Sequence, residues 1–208
     1  QHYYTKKIMK KMLINATYVL LIVAFFSIIA ISCKSSFVYL EDNVFKINDT
    51  TFFPLMLNYK VDMRKIGDDV IVSPARYYED KDIFETNTKD EINNQMSNHV
   101  ELMKELGFNT IRLCLDVVLK DDKGMYYPSS DGRISLTDDV DKILKGIEDA
   151  LDIAESHDMK VMLLLKPPFE KETETFTIEM LKRFADNPTI FAYDFMNEPL
   201  YFDTEPNR

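Results

Sequence analysis

Two hydrophobic periods take turns along this chain, one of 3.6 residues and one of continuous short runs. The clearest helical stretch opens at Thr88-Lys89-Asp90-Glu91. This is a capping box, in which the hydroxyl and the carboxylate each satisfy an orphan amide. Ile92, Met96, Val100, Met103 and Leu106 then recur at helical spacing, and Gly107 ends the pattern as a C-cap. Thr137 is expected to open a second helix, with Val140, Ile143, Leu144, Ile147 and Leu151 on one face. A third carries Ile178, Leu181, Phe184 and Ala185 and breaks at Asn187-Pro188.

Short apolar runs separate these helices. Phe52 to Leu57, Asn109 to Leu115, Val161 to Leu165 and Ile190 to Met196 read as buried strands. Pro54 limits the first, and Pro167-Pro168 stops the third. Upstream, Phe37 to Leu40 and Val44 to Ile47 are strand-like runs around the turn cluster Glu41-Asp42-Asn43, with a second turn at Asn48-Asp49. Residues 60–87 and 121–133 show neither period and are expected as loops.

From Phe52 onward the order is strand–helix–strand–helix–strand–helix–strand. Apolar strands alternating with amphipathic helices imply a parallel sheet covered by helices. An open doubly wound sheet and a (β/α)₈ barrel both fit that order. The first strand–helix junction lacks the Gly-rich phosphate loop of dinucleotide-binding sheets. Four units in about 150 residues match half of a barrel that needs about 250. The expected fold is therefore α/β, a (β/α)₈ barrel truncated after about the fourth strand and preceded by a short β-hairpin.

The N-terminus adds an address. Lys6, Lys7, Lys10 and Lys11 precede an apolar run over 13–31, broken only by Asn15, Thr17 and Ser27. A charged start, an apolar middle and small residues after it describe a secretory signal. Ala30-Ile31-Ser32-Cys33 resembles a bacterial lipobox, which implies lipidation of Cys33. A plain transmembrane anchor is the alternative, since about 20 apolar residues span a bilayer. Both place the rest outside the cytoplasm, either membrane-anchored or extracellular. The organisation expected is a signal over 1–33, a tether and hairpin over 34–51, and the first part of a barrel over 52–208. The first residue is Gln, so translation is expected from Met9 or Met12, and the chain is read as part of a longer frame.

Composition removes several function classes. The chain of 208 residues carries a net charge of −10, whereas nucleic-acid binding needs clustered Lys and Arg. Cys33 and Cys114 are its two cysteines, so no disulfide forms in the mature chain and no zinc site can be built from thiolates. His2, His99 and His157 are scattered, and no metal or other cofactor is expected. Asp121-Asp122 and Asp138-Asp139 read as solvated loop and helix-start charges.

One motif carries chemistry. Asn197-Glu198-Pro199 stands where the last apolar run must end. Carboxylates at the carboxyl ends of barrel strands are catalytic positions in most enzymes of that fold. Hydrolysis of a glycosidic bond needs one carboxyl to donate a proton and another to attack or to activate water. Standing alone, the tripeptide fits an ordinary loop exit better than a catalytic motif.

Its neighbours are more specific. Residues 184–199, Phe184-Ala185-Asp186-Asn187-Pro188-Thr189-Ile190-Phe191 through Asn197-Glu198-Pro199, resemble the fourth-strand signature of clan A glycoside hydrolases, especially family 5. Gly107-Phe108-Asn109-Thr110-Ile111-Arg112-Leu113 resembles their second strand. Val44 to Phe53 looks like the small hairpin that often precedes their barrel. The resemblance covers roughly residues 37 to 200.

That resemblance implies a retaining enzyme acting on a β-linked oligo- or polysaccharide, of mannan or glucan type. It makes Glu198 the general acid/base and puts Asn197 on the 2-hydroxyl of the sugar beside the scissile bond. It places Arg112 near the nucleophilic carboxylate, where a cation favours the ionised form. The nucleophile of this clan lies on the seventh strand, beyond this chain. Strand alternation agrees on Arg112: Ile111, Leu113 and Leu115 share one face, and Arg112, Cys114 and Asp116 the other. A salt bridge in the barrel floor is the competing role for Arg112. Family 5 members often end the third strand with a His, where this chain has Lys166-Pro167-Pro168. The chain has no Trp, so Tyr59, Tyr126, Tyr127 and Tyr201 are the candidates for sugar platforms, with plain packing as their competing role. The alternative function is a non-catalytic carbohydrate-binding surface lipoprotein on the same barrel.

Overall fold

A computed structural model describes residues 37–75, 88–115, 118–129, 132–164 and 171–195. Cys33, Lys166-Pro167-Pro168, Asn197-Glu198-Pro199 and Tyr201 lie outside the described residues.

The described chain begins with three short antiparallel strands, β1 (Tyr39–Glu41), β2 (Val44–Ile47) and β3 (Thr50–Thr51). Two-residue loops join them, Asp42-Asn43 and Asn48-Asp49, all four with φ between 49° and 63°. Hairpin loops of this kind need positive φ at both positions, which Asn and Asp tolerate best after Gly.

The strand expected over 52–57 begins later and runs much further. β4 spans Met56–Ile66 and turns into the antiparallel β5 (Asp69–Pro74). Phe53 and Leu55 are exposed, at 73% and 49%. The residues before Met56 cross the end of the sheet rather than joining it, and the Leu55 carbonyl accepts from the Asn109 and Thr110 amides. The first part of the expected 60–87 loop is thus a hairpin. Gly67, with φ 61°, makes its turn. Val70, Ile71 and Val72 bury completely, at 3% exposure or less.

α1 (Lys89–Glu105) starts as its capping box requires: the Glu91 amide donates to Thr88 Oγ1 at 3.3 Å, and the Thr88 amide donates to Glu91 Oε2 at 2.7 Å. Its end is closed by amides of Gly107 and Phe108 donating to the carbonyls of Lys104 and Met103, a Schellman arrangement allowed by φ 92° at Gly107. Ile92, Met96, Val100 and Met103 are buried, but Leu106 is 68% exposed because the helix has already ended.

After β6 (Thr110–Cys114) the polar loop expected over 121–133 is instead a three-stranded antiparallel meander, β7 (Leu119–Asp121), β8 (Gly124–Ser129) and β9 (Gly132–Ser135). Met125, Tyr127 and Ile134 are its buried apolar side chains. α2 (Val140–Ser156) begins at Asp139 rather than Thr137, and the Asp139 carboxylate accepts from the Ser135 amide at 3.0 Å. β10 (Lys160–Leu164), α3 (Lys171–Arg183) and β11 (Ile190–Asp194) complete the described chain. In α3 the buried face is Thr173, Phe176, Thr177 and Met180, followed by Phe184; Ile178 is 43% exposed. Two threonines on the inner face hid the period.

β11, β10, β6 and β4 form a parallel sheet in strict chain order. A doubly wound sheet would reverse its strand order, whereas successive barrel strands do not. The chain is therefore a mixed α/β fold whose parallel sheet is compatible with part of a (β/α)₈ barrel. Ile111, Leu113, Val161 and Leu163 join the buried helix residues in one core. At tens of cal/mol for each Å² removed from water, this core is the main stabilising term.

Candidate functional site

Pairing register decides what the opposite face of the sheet carries. Asn58 pairs with Arg112, and Arg112 with Met162, which pairs with Ala192. Paired residues in a sheet project to the same side. Asp194, two residues beyond Ala192, shares that side. The face away from the helices thus brings together Asn58, Arg112 and Asp194 from three strands.

Their contacts form one network. Arg112 Nε and Nη2 both donate to Asp194 Oδ2, at 2.9 and 2.5 Å, and Nη1 donates to Asn58 Oδ1 at 3.3 Å. The ion pair is largely covered, with side-chain exposures of 17% for Arg112 and 23% for Asp194. Charge-assisted bonds in such surroundings are stronger than neutral ones and fix the guanidinium plane. Asp194 ends β11, and four residues later the sequence reaches Glu198.

Alternation had pointed Arg112 to this face. Asp194 was missed, although the signal was present: a carboxylate inside an apolar strand needs a partner. Asn58, at the start of β4, was missed because the expected strand ended at Leu57.

No protein-family model matches the chain. No curated protein matches it. Among solved structures it is similar to the endo-1,4-beta-mannanase from Eisenia fetida. The TM-score is 0.45 and the identity 14%, covering 78% of this chain and 45% of that one. The chain spans less than half the length of that structure. At that TM-score the likeness fixes neither fold nor activity, which rest on the residues themselves.

The tyrosine candidates are engaged elsewhere. Tyr59 is buried at 3%, its hydroxyl 2.8 Å from His99 Nδ1. Tyr127 is buried at 4%, and its hydroxyl reaches the Leu115 carbonyl. Tyr126 has the Arg133 guanidinium 4.7 Å over its ring. All three are packing residues rather than open platforms. Asp121 is exposed, and it pairs with that same Arg133 at 2.7 Å.

Burial perturbs three groups near the sheet. It holds the His99 imidazole below its ordinary value, lowers the Lys160 ammonium and raises the Tyr193 phenol. Lys160 Nζ donates to the Pro188 carbonyl at 2.8 Å, so it ties β10 to the turn before β11. Among the described residues no group of three His, Cys, Asp or Glu is placed to hold a metal ion. Cys114, on β6, is buried, and its thiol donates to the Arg112 carbonyl at 3.4 Å. Among the described residues two open clefts lie around Lys89, Asp149 and Asp152 and around Asp69 and Lys145, where ion pairs line them.

Proposed function

We propose that this chain supplies the acid/base part of a retaining glycoside hydrolase of the clan A type, acting on β-linked oligo- or polysaccharide of mannan or glucan type. The observation that carries the reading is the Arg112–Asp194 pair on the sheet face away from the helices. It puts a fixed cation beside the strand whose sequence continues into Asn197-Glu198. The intervening residues can carry Glu198 no further than ~14 Å from Asp194. In this reading Glu198 protonates the leaving oxygen and Asn197 holds the neighbouring 2-hydroxyl. Arg112, already paired with Asp194 in the salt bridge that was its competing role, stands near the nucleophilic carboxylate as well. A retaining mechanism also needs a second carboxylate as nucleophile, about 5 Å from the acid/base. Export, with Cys33 as the lipidated residue, belongs to the same proposal.

The test is release of reducing sugar from β-mannan and β-glucan by the protein produced from the whole reading frame. Glu198→Gln should lower kcat by about 10²-fold or more, the usual contribution of general acid–base catalysis. Undiminished activity in that variant overturns the acid/base role. Binding of glycan without release by the unsubstituted protein marks a non-catalytic carbohydrate-binding lipoprotein instead.

A further inference from the structure

Most large apolar side chains exposed among the described residues gather at one end of the fold. The most exposed are Leu40 at 62%, Phe53 at 73%, Leu55 at 49%, Leu102 at 54% and Leu106 at 68%. They are neighbours along a continuous path. Leu40 pairs with Phe45, whose carbonyl accepts from the Phe52 amide. The Phe53 carbonyl accepts from Asn109 Nδ2, and the Leu55 amide donates to Asn109 Oδ1. Asn109 follows the Schellman turn that begins at Leu106, and Leu102 lies one helical turn before it.

This end is where the parallel strands begin. α1 runs back from the carboxyl ends of the strands and finishes just before β6 starts. The rim therefore lies opposite the end at which β11 leads toward Glu198. Scattered exposed leucines are ordinary on a protein surface, whereas a contiguous group marks a contact surface.

The chain itself says what the surface meets. Its apolar run over 13–31 and the lipobox-like Cys33 come immediately before the described fold. Four residues from Cys33 to Phe37 span at most ~14 Å. On the export proposed above, through a lipidated Cys33 or an uncleaved anchor, no more than that length of chain separates the lipid from Phe37. We infer that the amino-terminal end of this fold docks on a lipid bilayer, with Phe53, Leu55 and Leu106 entering the headgroup boundary and the carboxyl ends of the strands facing away. Among the described residues no helix is long and apolar enough to cross a membrane. A net charge of −10 makes apolar insertion, not attraction to anionic lipid, the driving term of the docking.

The experiment uses the full chain with its own N-terminus, inserted in phosphatidylcholine vesicles. Single cysteines replace Leu106, Phe53 or Lys123 and carry an environment-sensitive fluorophore; Lys123 lies in the β7–β8 turn, away from the rim. Quenchers embedded in the lipid should remove most of the emission from positions 106 and 53 and leave position 123 unchanged. Equal emission at all three overturns the proposal, as does failure of the chain to float with vesicles. Blue-shifted emission at 106 without lipid, rising with protein concentration, assigns the rim to a second copy and also overturns it. Position 53 serves if the variant at 106 fails to fold. None of these readouts uses glycosidase activity, so they stand or fall apart from the catalytic reading.

Discussion

Arg112 and Asp194 meet across the width of three parallel strands, two guanidinium nitrogens donating to one carboxylate oxygen at 2.5 and 2.9 Å. Strands β6 and β11 are not neighbours; β10 runs between them. Barrel interiors are layered in this way, with alternate strands contributing to one layer. The pair thus ties the two strands that bear the candidate site residues.

Removing one partner should reveal the strength of that tie. Asp194→Ala is expected to destabilise the fold by about 1.5–3 kcal/mol, the range for hydrogen bonds to charged groups. Urea denaturation measures it. The pair of Arg112→Met and Asp194→Leu together should lose less than the sum of the singles, because neither charge is then left alone.

Legibility in the sequence followed the local signals. The capping box at Thr88 and the period through Met96 and Val100 gave α1 its start and buried face, because both are set by residues within one turn of each other. Alternation in β6 gave the direction of Arg112. The β4–β5 hairpin and the β7–β9 meander were not foreseen. In β4 the signal was present, since Leu57, Tyr59, Val61 and Met63 alternate with Asn58, Lys60 and Asp62. The first strand was expected to end at Leu57, however, so the alternation beyond it fell within the expected loop. The Arg112 network was half legible, because its partners are 54 and 82 residues away, and pairing at that range depends on register.

The N-cap of α1 offers a second measurement. Thr88→Ala removes the acceptor for the Glu91 amide and should lower stability by about 1 kcal/mol. Thr88→Ser should restore most of it. An unchanged urea midpoint for the alanine variant would mean that the cap contributes nothing.

Gly146 tests the packing of α2 on the hairpin. A Cβ there would stand 2.6 Å from the Val70 carbonyl oxygen, which is backbone and cannot rotate away. Alanine would gain about 1 kcal/mol in helix propensity. Overpacking of this kind costs about 1–3 kcal/mol, so Gly146→Ala should be net destabilising despite the better helix former. A stabilised variant would mean that α2 can slide on β5.

His99 makes stability depend on pH. Burial holds its imidazole below the ordinary 6.5, while the unfolded chain titrates near that value. Between the two, the unfolded state binds a proton that the folded state refuses. Stability should be complete above pH 6.5 and should fall as the pH drops from there through the lowered folded value. Asp121, Glu148 and Asp149, all held below their ordinary values, act at more acid pH. Urea midpoints at about pH 7.5 and 5.5 should differ in the unsubstituted protein, and His99→Gln should flatten that difference.

β4 belongs to two ladders at once. Over Met56–Lys60 it pairs in parallel with β6, and over Val61–Ile66 it pairs antiparallel with β5. One backbone therefore links the parallel sheet to the hairpin, and neither half can fray without straining the register of the other. Slow amide exchange should run unbroken through Val61, with both halves opening in a single cooperative unit. The unforeseen hairpin is in this sense part of the same foldon as the sheet that presents Arg112.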